Sequence, residues 1–153
     1  MPPRVCFDTN AWISILNQES HVDLDSLMLW TGKIQDGQAT LLVPAIVSTE
    51  VGAGPDEAGI RQFENALKQP YVEQIDITHS IGLRAGKLRR QVLDHGWKLK
   101  TPDAMVVIAA ETFRANFILS TDKDVIRLDG NFGLRAKIGP PNTGLDLPLF
   151  NQG

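Results

Sequence analysis

The strongest constraint on the fold is a repeated alternation of short, wholly apolar runs with stretches of helical periodicity. Val5-Cys6-Phe7, Leu41-Leu42-Val43 and Phe117-Ile118-Leu119 are such runs. Each is too short for a buried helix and reads as a strand covered on both faces. Val72-Glu73-Gln74-Ile75-Asp76-Ile77 alternates and reads as a further strand, and residues 135–138 as an edge strand. Between these runs the spacing predicts helices. Asn10 is placed to cap a short one carrying Trp12, Ile13, Ile15 and Leu16, and a second runs from about Val22 to Lys33 with Leu24, Leu27, Met28 and Leu29 on one side. Pro44 opens a helix through Ile46, Val47, Glu50 and Val51, stopped by Gly52-Ala53-Gly54-Pro55. Residues 56–68 form another, spaced by Ile60, Phe63 and Leu67. His79–Asp94 carries Ile81, Leu83, Leu88 and Val92 and closes at Gly96. Thr101-Pro102-Asp103 reads as N-cap, first helical position and first-turn acid, opening an apolar Ala104–Ala110 run that must be buried all round. Strands alternating with helices imply an α/β fold whose parallel sheet is covered on both faces.

A chain of 153 residues is the usual size of one domain, so a single unit 1–153 is expected, with its core over roughly 4–138 and an irregular Pro/Gly-rich tail from Gly139. The lone Cys6 excludes an intramolecular disulfide framework, fits a reducing compartment and reads as a small core residue. No apolar run approaches the ~20 residues of a membrane span, and MPPRVCFDTN lacks the apolar core of a secretory leader, so a cytoplasmic protein is expected. The net charge of −3 argues against a polyanion binder that works by overall charge.

The informative residues are acidic. In open parallel sheets ligands bind beyond the carboxyl ends of the strands. Asp8 follows the first strand directly, and Asp122 and Asp124 follow Phe117-Ile118-Leu119 after Ser120-Thr121. Asp103 opens the buried helix and Glu50 lies on the helix after the second strand. Four segments thus can bring carboxylates to one end of the sheet. Such groups repel unless protonated or bridged by a cation, and hard oxygen donors suit Mg2+ or Mn2+. Each acid also has a plainer reading: Asp103 favours its own helix N-terminus, Asp122 and Asp124 are turn residues, and Glu50 faces solvent. Asp8 is hardest to explain by packing.

Taken in order, VCFDTN, VPAIVSTEV, TPDAMVVIAAE and FILSTDKDV resemble the four acidic motifs of the PIN domain, and most closely those of VapC-type toxin ribonucleases. The likeness covers roughly residues 4–128, including GLRAGKLRRQVLDHGWKLKTPDA before the third acid. It implies a three-layer α/β/α fold with a central parallel sheet of about four to five strands. It implies a catalytic set of Asp8, Glu50, Asp103 and Asp122, with Asp8, Asp103 and Asp122 holding Mg2+ or Mn2+. Asn10, Ser120 or Thr121, and Asp124 stand as supporting residues, and Asp122 and Asp124 compete for the fourth acid. The implied activity is endoribonucleolytic, with an RNA substrate, a cognate antitoxin and a homodimer. The sequence departs from the family at Val125, where an aromatic is usual, and in the Gly/Pro-rich stretch after Gly52.

One basic concentration, Arg84, Lys87, Arg89, Arg90, Lys98 and Lys100, is either a solvated helix face or a track for RNA phosphates, with Arg89, Arg90 and Lys100 the leading candidates. His21, His79 and His95 lie in unrelated contexts, and no His/Cys spacing suits zinc. Neither G-x-S-x-G nor G-x-x-x-x-G-K-[ST] occurs. Two other functions remain open. A haloacid-dehalogenase-like phosphatase would use Asp8 as nucleophile, but needs an acid where Asn10 stands. A non-cleaving PIN-like scaffold that binds RNA or protein would be expected to have lost an acid.

Overall fold

A computed structural model describes residues 2–18, 22–54 and 56–147. His21, Pro55 and the last six residues of the predicted tail lie outside them. The elements run β1 (Arg4–Phe7), α1 (Thr9–Leu16), α2 (Val22–Gln35), β2 (Thr40–Pro44), α3 (Ala45–Gly52), α4 (Glu57–Leu67), β3 (Val72–Ile75), α5 (His79–Asp94), α6 (Thr101–Thr112), β4 (Phe117–Leu119), α7 (Lys123–Ile126) and β5 (Lys137–Gly139). The strands form one all-parallel sheet in the order β3-β2-β1-β4-β5 within a three-layer α/β/α architecture. Val5, Cys6, Leu42 and Ile118 on its central strands are fully buried. That is why these runs are apolar on consecutive residues rather than alternate ones. Cys6 is a core residue, as its context suggested.

Chain order reverses between β1 and β4. From β1 the chain steps outward to β2 and β3, then crosses back to lay β4 and β5 on the other side. The helix that carries this return is α6, with Ala104 and Val106–Ala110 buried, so the expectation of an apolar-all-round helix holds. Its cap lies one residue earlier than predicted. Lys100, not Thr101, is extended, and its carbonyl accepts the first helical bond from Ala104 N at 3.0 Å. Thr101 and Pro102 therefore fill the first two helical positions, and Asp103 is the third.

Three packing expectations need correction. On α2 the buried residues are Leu27, Trp30 and Ile34, whereas Met28 and Leu29 are 50% and 58% exposed. Apolar side chains occur on both sides of this helix, and only the position of the sheet decides which side is covered. On α5, Ile81, Ala85, Leu88 and Val92 are buried, whereas Leu83, counted in the apolar pattern of this helix, is 69% exposed. The Val72–Ile77 strand stops at Ile75, where pairing with β2 ends at Pro44. The short α7 was read as turn residues. Beyond β5, described residues of the tail are turns, and Thr143 is held there by accepting a bond from Trp30 Nε1 at 3.2 Å. Among the described residues no helix is long and apolar enough to cross a membrane.

The corrected face of α2 gives a direct check. Leu27→Ala should cost about 2–5 kcal/mol, the range for truncating a buried leucine, while Met28→Ala should stay within about 0.5 kcal/mol. Urea unfolding of both variants measures this, and equal losses would restore the predicted face.

Candidate active site

The β1–β4 junction is the topological switch point, where parallel sheets place their ligands. Asp8 stands at the end of β1, its N–H still in the ladder as a donor to the Leu119 carbonyl at 3.0 Å. The chain passes from strand to helix without a loop, so Asp8 itself caps α1, accepting from Ala11 N at 2.9 Å through Oδ1. Asn10, predicted as the cap, lies within that helix and is exposed. The other Asp8 oxygen accepts a hydrogen bond from the Ser120 hydroxyl. Asp8 and Ser120 are buried, at 3% and 0% exposure. Ser120 Oγ in turn accepts from Asp122 N at 2.9 Å. Of the two candidate hydroxyls, it is therefore Ser120, not Thr121, that is bound to Asp8.

Asp122 caps α7 by accepting from Asp124 N at 2.8 Å, so its plainer reading as a turn residue is realised alongside any other role. Asp124 is ion-paired to Arg127 at 2.9 Å. Glu50, half-buried on α3, accepts from Thr9 Oγ1 at 2.6 Å. Thr9 was missed in the sequence. Its only signal was its place between Asp8 and Asn10, and the bond spans 41 positions of chain. Asp103 is half-buried in the first turn of α6.

The acids sense one another. Burial raises the Asp8 carboxyl from its ordinary 3.8 to about 6; the bonds from Ser120 and Ala11 oppose this, and Asp103 and Asp122 add to it. Asp103 also rises to about 6, first by burial and then by the charges of Asp122, Glu50 and Asp124, against the pull of Lys100. Asp122 thus acts on both shifted acids, Asp124 on Asp103 alone. Among the described residues no three acid, imidazole or thiol groups close into a finished cation cage. The donors are all carboxylate oxygens within electrostatic reach. This fits a hard divalent ion that keeps waters and takes substrate oxygens to complete its shell.

The basic residues lie alongside. Lys100 is next to the α6 start, Arg89 Nε donates to the Leu99 carbonyl at 2.8 Å, and Arg90 pairs with Asp94 at 3.5 Å. His79 opens α5, and His95 caps its end with its ring centroid 4.4 Å from that of Trp97.

The PIN-domain family model matches residues 5–131. No curated protein sequence matches the chain. Among solved structures, VapBC2 from Rickettsia felis bound to a promoter DNA fragment is similar, with a TM-score of 0.66 at 16% identity, covering 88% of this chain and 96% of that one. VapC20 of Mycobacterium tuberculosis, described as a sarcin-ricin loop cleaving toxin, has a TM-score of 0.64 at 15% identity over 86% and 98%. FitAcB from Neisseria gonorrhoeae has 0.59 at 15% over 90% and 97%. At such identities the structural likeness speaks to the fold.

The shifted acids make stability depend on pH. The folded state holds the Asp8 and Asp103 protons more tightly than the unfolded chain does. They therefore favour folding below about pH 4, and that contribution is lost as the pH rises through about 6. In chelator, Asp8→Asn and Asp103→Asn should gain on wild type across this window, because their neutral amides do not ionise. Urea midpoints from pH 4 to 8 measure the difference, and a difference that is flat with pH would remove the shifts.

Proposed function

The chain belongs to the PIN-domain family, and from that premise we propose that it is a Mg2+- or Mn2+-dependent endoribonuclease serving as the toxin of a toxin–antitoxin pair. The observation that carries the reading is the convergence of Asp8, Glu50, Asp103 and Asp122 at the switch point, two of them with raised pKa. Asp8, Asp103 and Asp122 are the residues that would hold the ion. When bound, the ion supplies Lewis-acid activation of water and neutralises charge on the phosphate.

The protein's own residues have distinct tasks. Ser120 and Ala11 N–H fix both oxygens of Asp8, which keeps the carboxylate oriented despite its burial. Thr9 holds Glu50, from which that carboxylate would orient the attacking water. Lys100 sits beside Asp103 and would meet the phosphate flanking the cut. The toxin–antitoxin complexes among the structural relatives support a cognate antitoxin as partner, and the loop-cleaving relative supports RNA as substrate. A homodimer working in the cytoplasm belongs to the same reading. A phosphatase using Asp8 as nucleophile has no support, since Asn10 offers no acid where that chemistry needs a proton donor.

The test compares Asp103→Asn, Asp122→Asn and Asp124→Asn with wild type, in RNA cleavage and in melting with chelator or excess Mn2+. The first two should lose more than tenfold in rate, over ~1.4 kcal/mol in barrier, while folding at least as stably in chelator. Wild type should gain about 2.7 kcal/mol at a hundredfold excess of ion over Kd, and these two variants less. Asp124→Asn should keep most activity. An equal Mn2+ gain in wild type and Asp122→Asn would take Asp122 out of the ligand set and put Asp124 in its place.

A further inference from the structure

A trough of about 1100 Å³ runs along α5 and ends at Asp124, and its five cations, Lys87, Arg89, Arg90, Lys98 and Lys100, belong with the acids already described. A second hollow, of about 480 Å³, shares only Lys87 with it and is within the size range of small-ligand sites. Its walls come from α5, the end of α6 and the residues before β5. Residues 111–114 lead into β4 and residues 132–135 into β5, so this hollow lies at the amino ends of these strands, whereas the acids stand at the carboxyl ends. Asp103 in the first turn of α6 and Thr112 at its last position are about 13 Å apart along the helix axis. The lining carries four cations, Arg84, Lys87, Arg114 and Arg135, and one acid, Glu111. All four cations are exposed, and among the described residues no ion pair includes any of them. Glu111 does not answer them: its Oε1 accepts from the backbone N–H groups of Arg135 and Ala136. Arg84 is held instead by a neutral group. Its Nη1 donates to Thr112 Oγ1 at 2.7 Å, and that hydroxyl donates on to the Ile108 carbonyl at 2.7 Å.

The backbone adds an independent sign. Three non-glycine residues among those described have a left-handed φ, and two of them, Arg114 at +61° and Phe132 at +56°, line this hollow. Arg114 follows the C-cap of α6, the position where glycine is the default because a Cβ is disfavoured there. The helix dipole favours a cation at that end, which accounts for one charge and not for four. Phe132 is bulky, and a left-handed φ at such a residue is a genuine outlier. Backbone strain of this kind gathers at ligand-binding sites. We propose that the hollow is an anion site for an oligophosphate, two or three linked phosphates either free or as the tail of a nucleotide, held by Arg84, Arg114 and Arg135, with Lys87 where the two hollows meet. Several positive charges with no acid of the protein to meet them call for a ligand of several negative charges. Guanidinium forks match phosphate oxygens two at a time, and arginine supplies three of the four cations. Two copies of this face would repel each other, so a second chain is not the occupant. The site does not depend on the ribonuclease reading.

The experiment uses the full chain in chelator, so that no metal can carry phosphate to the acids, and reads binding by calorimetry. The probes are inorganic tripolyphosphate, inorganic phosphate, citrate and adenosine triphosphate. Wild type should bind tripolyphosphate about tenfold or more tightly than it binds inorganic phosphate or citrate. Arg84→Gln and Arg135→Gln together should lose about tenfold or more in that affinity, the loss expected when hydrogen bonds to a charged group are removed. Arg114→Gly should melt no lower than wild type, since glycine suits the left-handed position, and yet lose roughly threefold or more. Lys98→Gln with Lys100→Gln, in the neighbouring trough, should bind as wild type does. Adenosine triphosphate matching tripolyphosphate upholds a site for the phosphate chain alone, and tighter binding by about tenfold upholds a nucleotide as its source. Citrate binding as tightly as tripolyphosphate overturns the phosphate assignment and leaves only general attraction of anions. Equal binding by wild type, by Arg114→Gly and by the Arg84→Gln, Arg135→Gln double variant overturns the site. A loss confined to the Lys98→Gln, Lys100→Gln variant moves the anion to the trough and overturns the site as well.

Discussion

The molecule is organised around a carboxylate that it buries at a cost. Asp8 ends the central strand with 3% exposure, where a charged group is disfavoured unless bonded. Three contacts make the position tenable. The Ala11 N–H and the Ser120 hydroxyl take its two oxygens, and its own N–H continues the β1–β4 ladder to Leu119. Each contact depends on a different part of the chain: the immediate start of α1, the end of β4, and the parallel register pairing Phe7 with Leu119. A one-residue slip of that register would carry Ser120 away from Asp8, so the site and the sheet are specified together.

The same topology explains why acids from distant parts of the chain meet. Because β4 returns to pair with β1, the loops following both strands open on the same edge. Glu50 arrives from α3 and is tied to α1 through Thr9. Asp103 arrives on α6, whose burial among α3, α5 and β2 leaves its first turn little freedom. The groups are therefore held by rigid elements rather than by long loops, as a preorganised site requires.

Much of this was legible in the chain. Consecutive apolar residues announced strands buried on both faces, and β4 ran as read from Phe117 to Leu119. Thr-Pro-Asp before an apolar run announced α6 to within one residue of its cap. Asp8 stood out because a carboxylate ending a buried strand has no packing reason to be there. What could not be read depended on tertiary placement. Periodicity identifies a helix but not the side the sheet will cover, so Met28, Leu29 and Leu83, counted in the apolar patterns of their helices, face out. Hydrogen bonds over long separations, such as Thr9 to Glu50 and Ser120 to Asp8, leave no local pattern. The cap of α1 passed from Asn10 to Asp8 because no loop separates strand from helix, and propensity alone does not reveal a loop of zero length.

The placement of the cations completes the electrostatic argument. Among the described residues, ion pairs join Arg4 to Glu73, Arg90 to Asp94 and Arg127 to Asp124, and none involves Asp8, Glu50, Asp103 or Asp122. Lys100 comes near enough to ease Asp103 but does not neutralise the cluster. Had selection favoured stability alone, an arginine placed among these acids would have relieved the repulsion, as Arg127 does for Asp124. Five cations instead line the neighbouring trough, one side of a boundary whose other side is left negative. A surface divided in this way repels a bare polyanion at the acids and attracts it along α5. On the proposed reading, a divalent cation at the boundary would reconcile the two, by making the acidic side acceptable to a phosphate drawn in by the basic side. Residual repulsion among the four acids would then be the stability given up so that a cation, rather than the protein, supplies the missing positive charge.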